Sequence, residues 1–337
     1  MKYIIYLILC SAFVMSAQTD KTSGFKEYYP ISVRPELSVG LGNNQYEQIL
    51  LEAKPTVYYG FYNDLRTALN KDTITNGDAV YLTFQPEFRI YDEESKPVKT
   101  PTYKVLLGWQ KIFKTNADNF LTVGLESGHY SNGQARSAFS TEFEDNSPES
   151  QALYDSFTDD TDLAALLNRR TGNFSTNLTR LSFNYRLNTF NDNNVPERIH
   201  SIIATYQLYH NKFLGVANFG GFNPEDIDIY GRHRVEVGYE FTEHFKMTRY
   251  TLSQQLFYHF GSHPSSDPLR SESKVIVYPW DSDIGFVAQL SVGRDDYNYR
   301  FLDSFTRFSV GITWDWFTPF VVKPTKAQLP DIPKSQI

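Results

Sequence analysis

Apolar and polar residues alternate along much of the chain. In the clearest segment the apolar positions are Phe308, Val310, Ile312, Trp314 and Trp316, and the residues between them are Arg307, Ser309, Gly311, Thr313 and Asp315. Successive side chains of a β-strand point to opposite faces. This segment therefore predicts a strand with one apolar face and one polar face.

Similar alternation recurs throughout the sequence. It is strong in 81–90, 103–110, 121–131, 175–188 and 234–241, where Pro86 and Leu106 interrupt it, and weaker in 48–62, 197–211, 246–260, 272–280 and 284–294. These segments make eleven candidate strands. Single-chain bacterial barrels prefer even strand numbers, so we predict twelve, with the missing strand near 29–40 or 213–222.

The predicted fold is all-β, a transmembrane antiparallel up-and-down β-barrel of about 12 strands in the outer membrane of a Gram-negative bacterium. A soluble β-sandwich is the alternative, but its strands do not usually hold ten-residue alternations that end in aromatic pairs. Aromatic residues make up 16% of the chain while the mean hydropathy is −0.43, as expected when only one face of each strand is apolar.

The first residues resemble a secretory signal peptide, predicted at 1–17. Lys2 precedes an apolar run that is too short to span a bilayer, and the small residues Ser16 and Ala17 follow it. The only cysteine, Cys10, lies within this run. Lipid attachment at Cys10 is disfavoured because Leu9 occupies the position that normally holds a small residue.

The rest of the chain divides into three parts, and the barrel contains a long loop. We predict a periplasmic segment at 18–46, the barrel at 47–317, a long extracellular loop at 132–171 and a proline-containing periplasmic tail at 318–337. A short helix is expected around Leu163–Asn168 in the loop. The formal charge of −7 argues against a nucleic-acid partner. Insertion of such a barrel implies the barrel-assembly machinery as a partner.

Polar residues interrupt the apolar face of two neighbouring strands. His129 and Ser131 continue the odd-numbered face that begins with Leu121, Val123 and Leu125. An imidazole and a hydroxyl that face acyl chains cost free energy unless they have a function there.

Asn177 has the matching parity at the start of the next strand, on the same face as Leu181 and Phe183. In this arrangement His129 would accept the proton of Ser131, Ser131 would attack an ester carbonyl, and Asn177 would orient the imidazole. Ser-Asn-Gly is also a common turn at a strand end, which is the simpler interpretation.

The segment His129-Tyr130-Ser131-Asn132-Gly133, followed by Asn177, resembles the motif of the outer membrane phospholipase A family. The resemblance spans about a third of the chain and returns where Asp296-Tyr297-Asn298 leads into the final strand. It implies Ser131 as nucleophile, His129 as general base, Asn177 as its orienting residue and the Gly133 backbone N–H as an oxyanion donor. The implied substrates are outer-leaflet phospholipids.

The resemblance also implies Ca²⁺ as a cofactor and an active homodimer. Asn173 stands where the family has a serine ligand, and Ser95 most nearly matches the ligand from the partner subunit. The chain departs from the family at Thr176 and Leu178 and in the longer interval between Ser131 and Asn177. Two other functions stay open: a lipid A deacylase, whose third catalytic residue would be a glutamate, and a non-enzymatic porin or structural barrel.

Overall fold

The computed structural model describes residues 28–44, 46–70, 73–94, 98–116, 118–190, 196–212 and 220–315. The predicted signal peptide, Ser95 and the predicted C-terminal tail lie outside these residues.

Thirteen antiparallel strands form one sheet in the described part of the chain. They are β1 (Glu36–Asn44), β2 (Ile49–Lys54), β3 (Val57–Asn63), β4 (Asn76–Tyr91), β5 (Thr102–Lys114), β6 (Phe120–Ser131), β7 (Ser175–Phe190), β8 (Pro196–His210), β9 (Gly231–Phe245), β10 (Thr248–Ser262), β11 (Leu269–Tyr278), β12 (Ile284–Arg294) and β13 (Ser304–Trp314).

Short helices lie in the connections between strands. They are α1 (Leu65–Asn70), α2 (Pro148–Asp155), α3 (Leu163–Leu166), α4 (Pro224–Tyr230) and two 3₁₀ helices at Pro279–Asp281 and Asn298–Leu302. None of the helices that the structure describes is long and apolar enough to cross a membrane.

The sheet closes into a barrel through β1, which pairs with both β13 and β2, and through β2, which pairs with β4. β2 and β3 occupy one position between them, because β2 pairs with the end of β4 and β3 with its earlier part. Pro55 separates the two strands, and proline cannot donate to a strand ladder. The barrel thus has twelve strand positions, which confirms the predicted fold class and strand number.

Two predicted boundaries need correction. β1 lies inside 18–46, which we predicted as periplasmic, so the barrel begins at Glu36 instead of residue 47. Leu37, Val39 and Leu41 of β1 face outward, but this alternation is short and glycines interrupt its other face. The connection between β6 and β7 spans 132–174 and holds both α2 and α3.

The outer face of the barrel is apolar around its circumference. Exposed apolar side chains on successive strands include Val39, Tyr59, Phe84, Leu107, Leu125, Phe183, Ile202, Val237, Leu252, Val275, Leu290 and Val310. A soluble protein rarely exposes an apolar surface of this extent. A closed antiparallel barrel with such a face is the architecture of outer-membrane proteins of Gram-negative bacteria, and the protein is an outer-membrane β-barrel.

The long connection 132–174 defines one end of the barrel, here called the loop end, which is extracellular in such barrels. Buried apolar residues fill the lumen at this end and are here called the mouth cluster. Its members are Leu106, Tyr130, Ala138, Phe139, Leu163, Ala164, Leu167, Phe174, Leu178, Tyr209, Phe222, Ile229, Tyr230, Tyr299, Phe301 and Leu302. Leu106, which interrupts the alternation of β5, packs in this cluster.

A second buried cluster lies at the opposite end of the lumen and is here called the base cluster. It consists of Tyr28, Tyr29, Leu65, Ala79, Tyr81, Ile112 and Phe120. The segment before β1 is tied to the wall because the backbone of Ile31 both donates to and accepts from the side chain of Gln110. A cavity of about 330 Å³ lies in the lumen and is lined by charged residues that include Lys104, Arg180 and Glu236.

Candidate active site

The register of β6 and β7 places the predicted site residues side by side. His129 lies directly opposite Asn177, and Ser131 lies directly opposite Ser175. His129 and Ser131 share the outward face of β6 with the exposed Leu125, while Glu126 and Tyr130 of the same strand are buried in the lumen. Asn177 shares the outward face of β7 with the exposed Leu181 and Phe183. The three side chains therefore belong to the outer wall near the loop end.

His129 and Asn177 form a hydrogen bond across the two strands. The His129 Nδ1 atom lies 3.1 Å from Asn177 Oδ1, and the Asn177 Nδ2 atom donates to the carbonyl oxygen of Asn211 at 2.9 Å. The second bond fixes the orientation of the amide, because only its nitrogen can donate. Asn177 Oδ1 then accepts from His129, so Nδ1 carries the proton and Nε2 is left as an acceptor. This is the tautomer that a general base requires.

Ser131 lies two residues beyond His129 on the same face of β6, roughly 7 Å along the strand. Its backbone carbonyl accepts from Thr102 Oγ1 at 3.2 Å, which holds the end of β6 against β5. Between the described residues there is no hydrogen bond from the Ser131 hydroxyl to His129. Hydrogen bonds of this kind are often long without substrate and shorten when it binds. The structure thus joins His129 to Asn177 and leaves Ser131 adjacent to them.

Gly133 follows the end of β6 in a left-handed conformation, with φ of +67°. The position is exposed, and an added Cβ would meet nothing within 4 Å. No hydrogen bond to another described residue uses the Gly133 backbone N–H, so this donor is free to face a ligand beside Ser131.

Asn132 stabilises the end of β6, a role that was not predicted from the sequence. Its side chain is buried, its Nδ2 donates to the carbonyl of Gly172 at 2.8 Å, and its Oδ1 accepts from the backbone N–H of Phe174 at 3.0 Å. These bonds tie the end of β6 to the returning loop just before Asn177. Its signal in the sequence is its position in the motif His129-Tyr130-Ser131-Asn132-Gly133, in which Ser-Asn-Gly also fits a turn.

The lumen side of the same strands is also held together. Glu126 accepts from Arg180 Nε and from the hydroxyl of Tyr81, and Glu126 and Arg180 lie opposite each other in the β6–β7 register. A change of register would separate this pair and leave a buried charge without its partner, which costs free energy. The pair thereby supports the alignment of His129 with Asn177.

The residues predicted to hold Ca²⁺ supply few ligands. Asn173 Nδ2 donates to Asp145 Oδ2 at 2.7 Å, and Asn146 donates to the same oxygen at 2.8 Å. Burial raises the pKa of Asp145. These three side chains could supply part of the six to eight oxygens that Ca²⁺ takes, and backbone carbonyls and water would have to supply the rest. The described residues also contain no group of three or more His, Cys, Asp or Glu that could hold a metal.

A scan against protein-family models and a search of curated proteins each find no match for this chain. Solved structures with a similar fold include outer membrane phospholipase A from Escherichia coli, at 12% identity and a TM-score of 0.49, covering 86% of this chain and 94% of that chain. Another is the Salmonella typhi outer membrane phospholipase dimer with bound calcium, at 12% identity and a TM-score of 0.48, covering 88% and 94%.

A third is LpxR from Salmonella typhimurium, at 8% identity and a TM-score of 0.34, covering 79% and 88%. Likenesses at these identities and TM-scores carry no conclusion on function. The case for an activity rests on the residues of this chain.

Proposed function

We propose that this outer-membrane barrel is a phospholipase A, which hydrolyses acyl esters of outer-leaflet phospholipids through Ser131, His129 and Asn177. The observation that carries the proposal is the hydrogen bond between His129 Nδ1 and Asn177 Oδ1 on the outer wall, with Asn177 fixed by the carbonyl of Asn211. An oriented imidazole beside a hydroxyl, on a wall that otherwise faces acyl chains, fits an ester hydrolase that acts on membrane lipid.

In the proposed reaction the Ser131 hydroxyl attacks the ester carbonyl while His129 Nε2 takes its proton. The Gly133 N–H donates to the oxyanion of the tetrahedral intermediate. As the intermediate collapses, protonated His129 gives its proton to the leaving alcohol of the lysolipid, and an acyl-Ser131 ester remains. His129 then takes a proton from water, hydroxide adds to the acyl group, and the fatty acid leaves as Ser131 is reprotonated.

The residues inside the lumen help to distinguish the proposed enzyme from a porin. In the described part of the chain, buried apolar residues of the mouth cluster occupy the lumen at the loop end. A channel needs a continuous aqueous path, whereas a lipase on the outer wall needs none. The mouth cluster therefore argues against the porin.

The direct test offers purified protein in detergent two substrates, phosphatidylethanolamine and lipopolysaccharide. We expect fatty acid to be released from phosphatidylethanolamine and the activity to be lost in Ser131→Ala. Ser273→Ala is a matched control, because Ser273 is a hydroxyl on the outer wall of β11, where it donates to Gln254. Release from lipopolysaccharide alone would replace the phospholipase with a lipid A deacylase, and full activity in Ser131→Ala would remove Ser131 from the mechanism.

Calcium dependence and dimerisation are secondary proposals that rest on the family resemblance. If Asn173 contributes a calcium ligand, a chelator lowers the activity of the wild type and added Ca²⁺ restores it. In Asn173→Ala more Ca²⁺ is then needed for half-maximal activity. A chelator without effect would withdraw calcium, and a monomeric mass for the active enzyme in detergent would withdraw the homodimer.

A further inference from the structure

A second row of hydrogen-bonded polar side chains lies on the outer wall beside the candidate site. The Ser127 hydroxyl lies 2.8 Å from Thr179 Oγ1, which lies 3.0 Å from His210 Nε2. His210 Nδ1 lies 2.8 Å from the carbonyl oxygen of Lys212. Ser127 and Thr179 are opposite each other in the β6–β7 register, one outward position farther from the loop end than His129 and Asn177.

The donor and the acceptor of each hydrogen bond in this row can be assigned. The Lys212 carbonyl can only accept, so His210 Nδ1 carries the proton and Nε2 accepts in the neutral ring. The Thr179 hydroxyl then donates to His210. Its oxygen must accept from Ser127, whose hydroxyl is also 3.3 Å from the carbonyl of Leu178. Every hydrogen is used within the protein, and the Ser127 oxygen keeps a lone pair that can accept.

Towards β5 and towards the middle of the barrel, the neighbours of Ser127 on the outer wall are apolar. Leu107 lies opposite it on β5 and is 49% exposed, and Leu125 on the same face of β6 is 44% exposed. Ser127 itself is partly exposed. A plain hydrocarbon chain lying here would leave the acceptor unsatisfied, which costs free energy in a medium without water.

We propose that Ser127 is a binding site for a hydroxyl group on the hydrocarbon chain of a lipid. A hydroxyl donates a hydrogen bond to the open lone pair, whereas a ketone can only accept and finds no free donor there. This inference rests on the proposed function, which sets the direction in which the lipid lies. The ester of the bound lipid lies at Ser131, and its acyl chain runs past Ser127. The two serines are four residues apart, roughly 13 Å along the strand, so the recognised hydroxyl lies near the middle of the chain.

The test measures binding, so that it does not require catalysis. Displacement of a fluorescent phospholipid from detergent-solubilised Ser131→Ala protein is compared for three phosphatidylcholines that carry a stearoyl, a mid-chain hydroxystearoyl or a mid-chain ketostearoyl chain. One hydrogen bond to the ligand predicts about five-fold tighter binding of the hydroxystearoyl lipid than of the other two. A preference in this variant supports the site even if the wild type proves to have no lipase activity.

Ser127→Ala in the same background removes the acceptor, and we expect the preference to disappear without any loss of stearoyl binding. Ser127→Cys, which keeps the size but offers a weak acceptor, provides a second measurement should the alanine variant fold poorly. Ser273→Ala is the matched control and keeps the preference. Equal binding of all three lipids, an equal gain for the ketone, or a preference that survives both Ser127 variants would overturn the proposal.

Discussion

At the scale of single residues, Asn177 has the clearest assigned role, since its amide can face His129 in only one orientation. We expect Asn177→Leu to lower kcat by at least about a hundred-fold, because the imidazole loses the acceptor that fixes its tautomer. Asn177→Asp keeps an acceptor oxygen beside His129 and should restore part of the activity. Initial rates on phosphatidylethanolamine at saturating lipid test this. Equal losses in both variants would argue for a purely structural role.

A small substitution at Gly133 tests the proposed oxyanion donor. A left-handed φ of +67° costs an alanine roughly 1–2 kcal/mol, while its added Cβ would meet no neighbour. We expect Gly133→Ala to shift this N–H and to lower kcat about ten-fold with KM nearly unchanged. A steady-state comparison with wild type measures it, and an unchanged kcat would move the oxyanion donor elsewhere.

Some of the contacts of the candidate site could be predicted from the sequence, and others could not. Strand parity was sufficient to bring His129 and Asn177 to one face, because the period of a strand fixes it. It could not identify Asn132 or the carbonyl of Asn211, since both act through a loop or a neighbouring strand. The contact of Thr179 with His210 likewise depends on the β7–β8 pairing, which the parity of a single strand does not determine.

At the scale of elements, the pairing of β5 with β6 depends on a residue without a side chain. A Cβ on Gly128 would lie 1.9 Å from the carbonyl oxygen of Val105, in the backbone of the neighbouring strand. We expect Gly128→Ala to abolish barrel formation or to separate these strands, as seen by the mobility of unheated protein in gels. Gly124→Ala, on the same face of β6, meets only the end of Ile31 at 3.1 Å and should fold. A folded Gly128→Ala barrel would refute this register.

Helix α4 at the loop end is predicted to respond to pH. Burial, with a contribution from the charge of Asp145, raises the pKa of Asp226 from 3.8 to about 7. A carboxyl with a raised pKa binds its proton more tightly in the folded state. Its stabilising contribution is therefore complete at low pH and is lost as the pH rises from about 4 towards 7.

Asp226→Asn should remove this decline, because the amide oxygen can still accept from the backbone N–H of Asn223. Thermal unfolding in detergent across that pH range measures both proteins. Parallel pH profiles for the variant and the wild type would show that Asp226 is not the responsible group.

Elements differed in how well the pattern predicted them. Strands with a long alternation, such as β6 and β13, could be located because each face has a distinct environment. The stretch 48–62 was predicted as one strand and is two, since alternation continues across Pro55 while pairing does not. The mouth cluster could not be predicted from the alternation of apolar and polar residues, because most of its members lie in loops between the strands.

At the scale of the whole molecule, the mouth cluster predicts that the barrel does not conduct ions. The aromatic rings of Phe174, Tyr230 and Phe301 pack against one another in the mouth cluster. We expect the purified protein to give no steady conductance in planar bilayers, with a porin of similar size as the positive control. Sustained ohmic currents would restore the porin alternative.

The position of His129 and Asn177 on the outer wall has a kinetic consequence. Substrate that reaches such a site arrives by lateral diffusion within one leaflet and never dissolves in the surrounding water. Turnover is then set by the mole fraction of lipid at the surface. If the barrel hydrolyses lipid as proposed, diluting that surface with an inert amphiphile slows the reaction, even when the total amount of lipid in the sample stays constant.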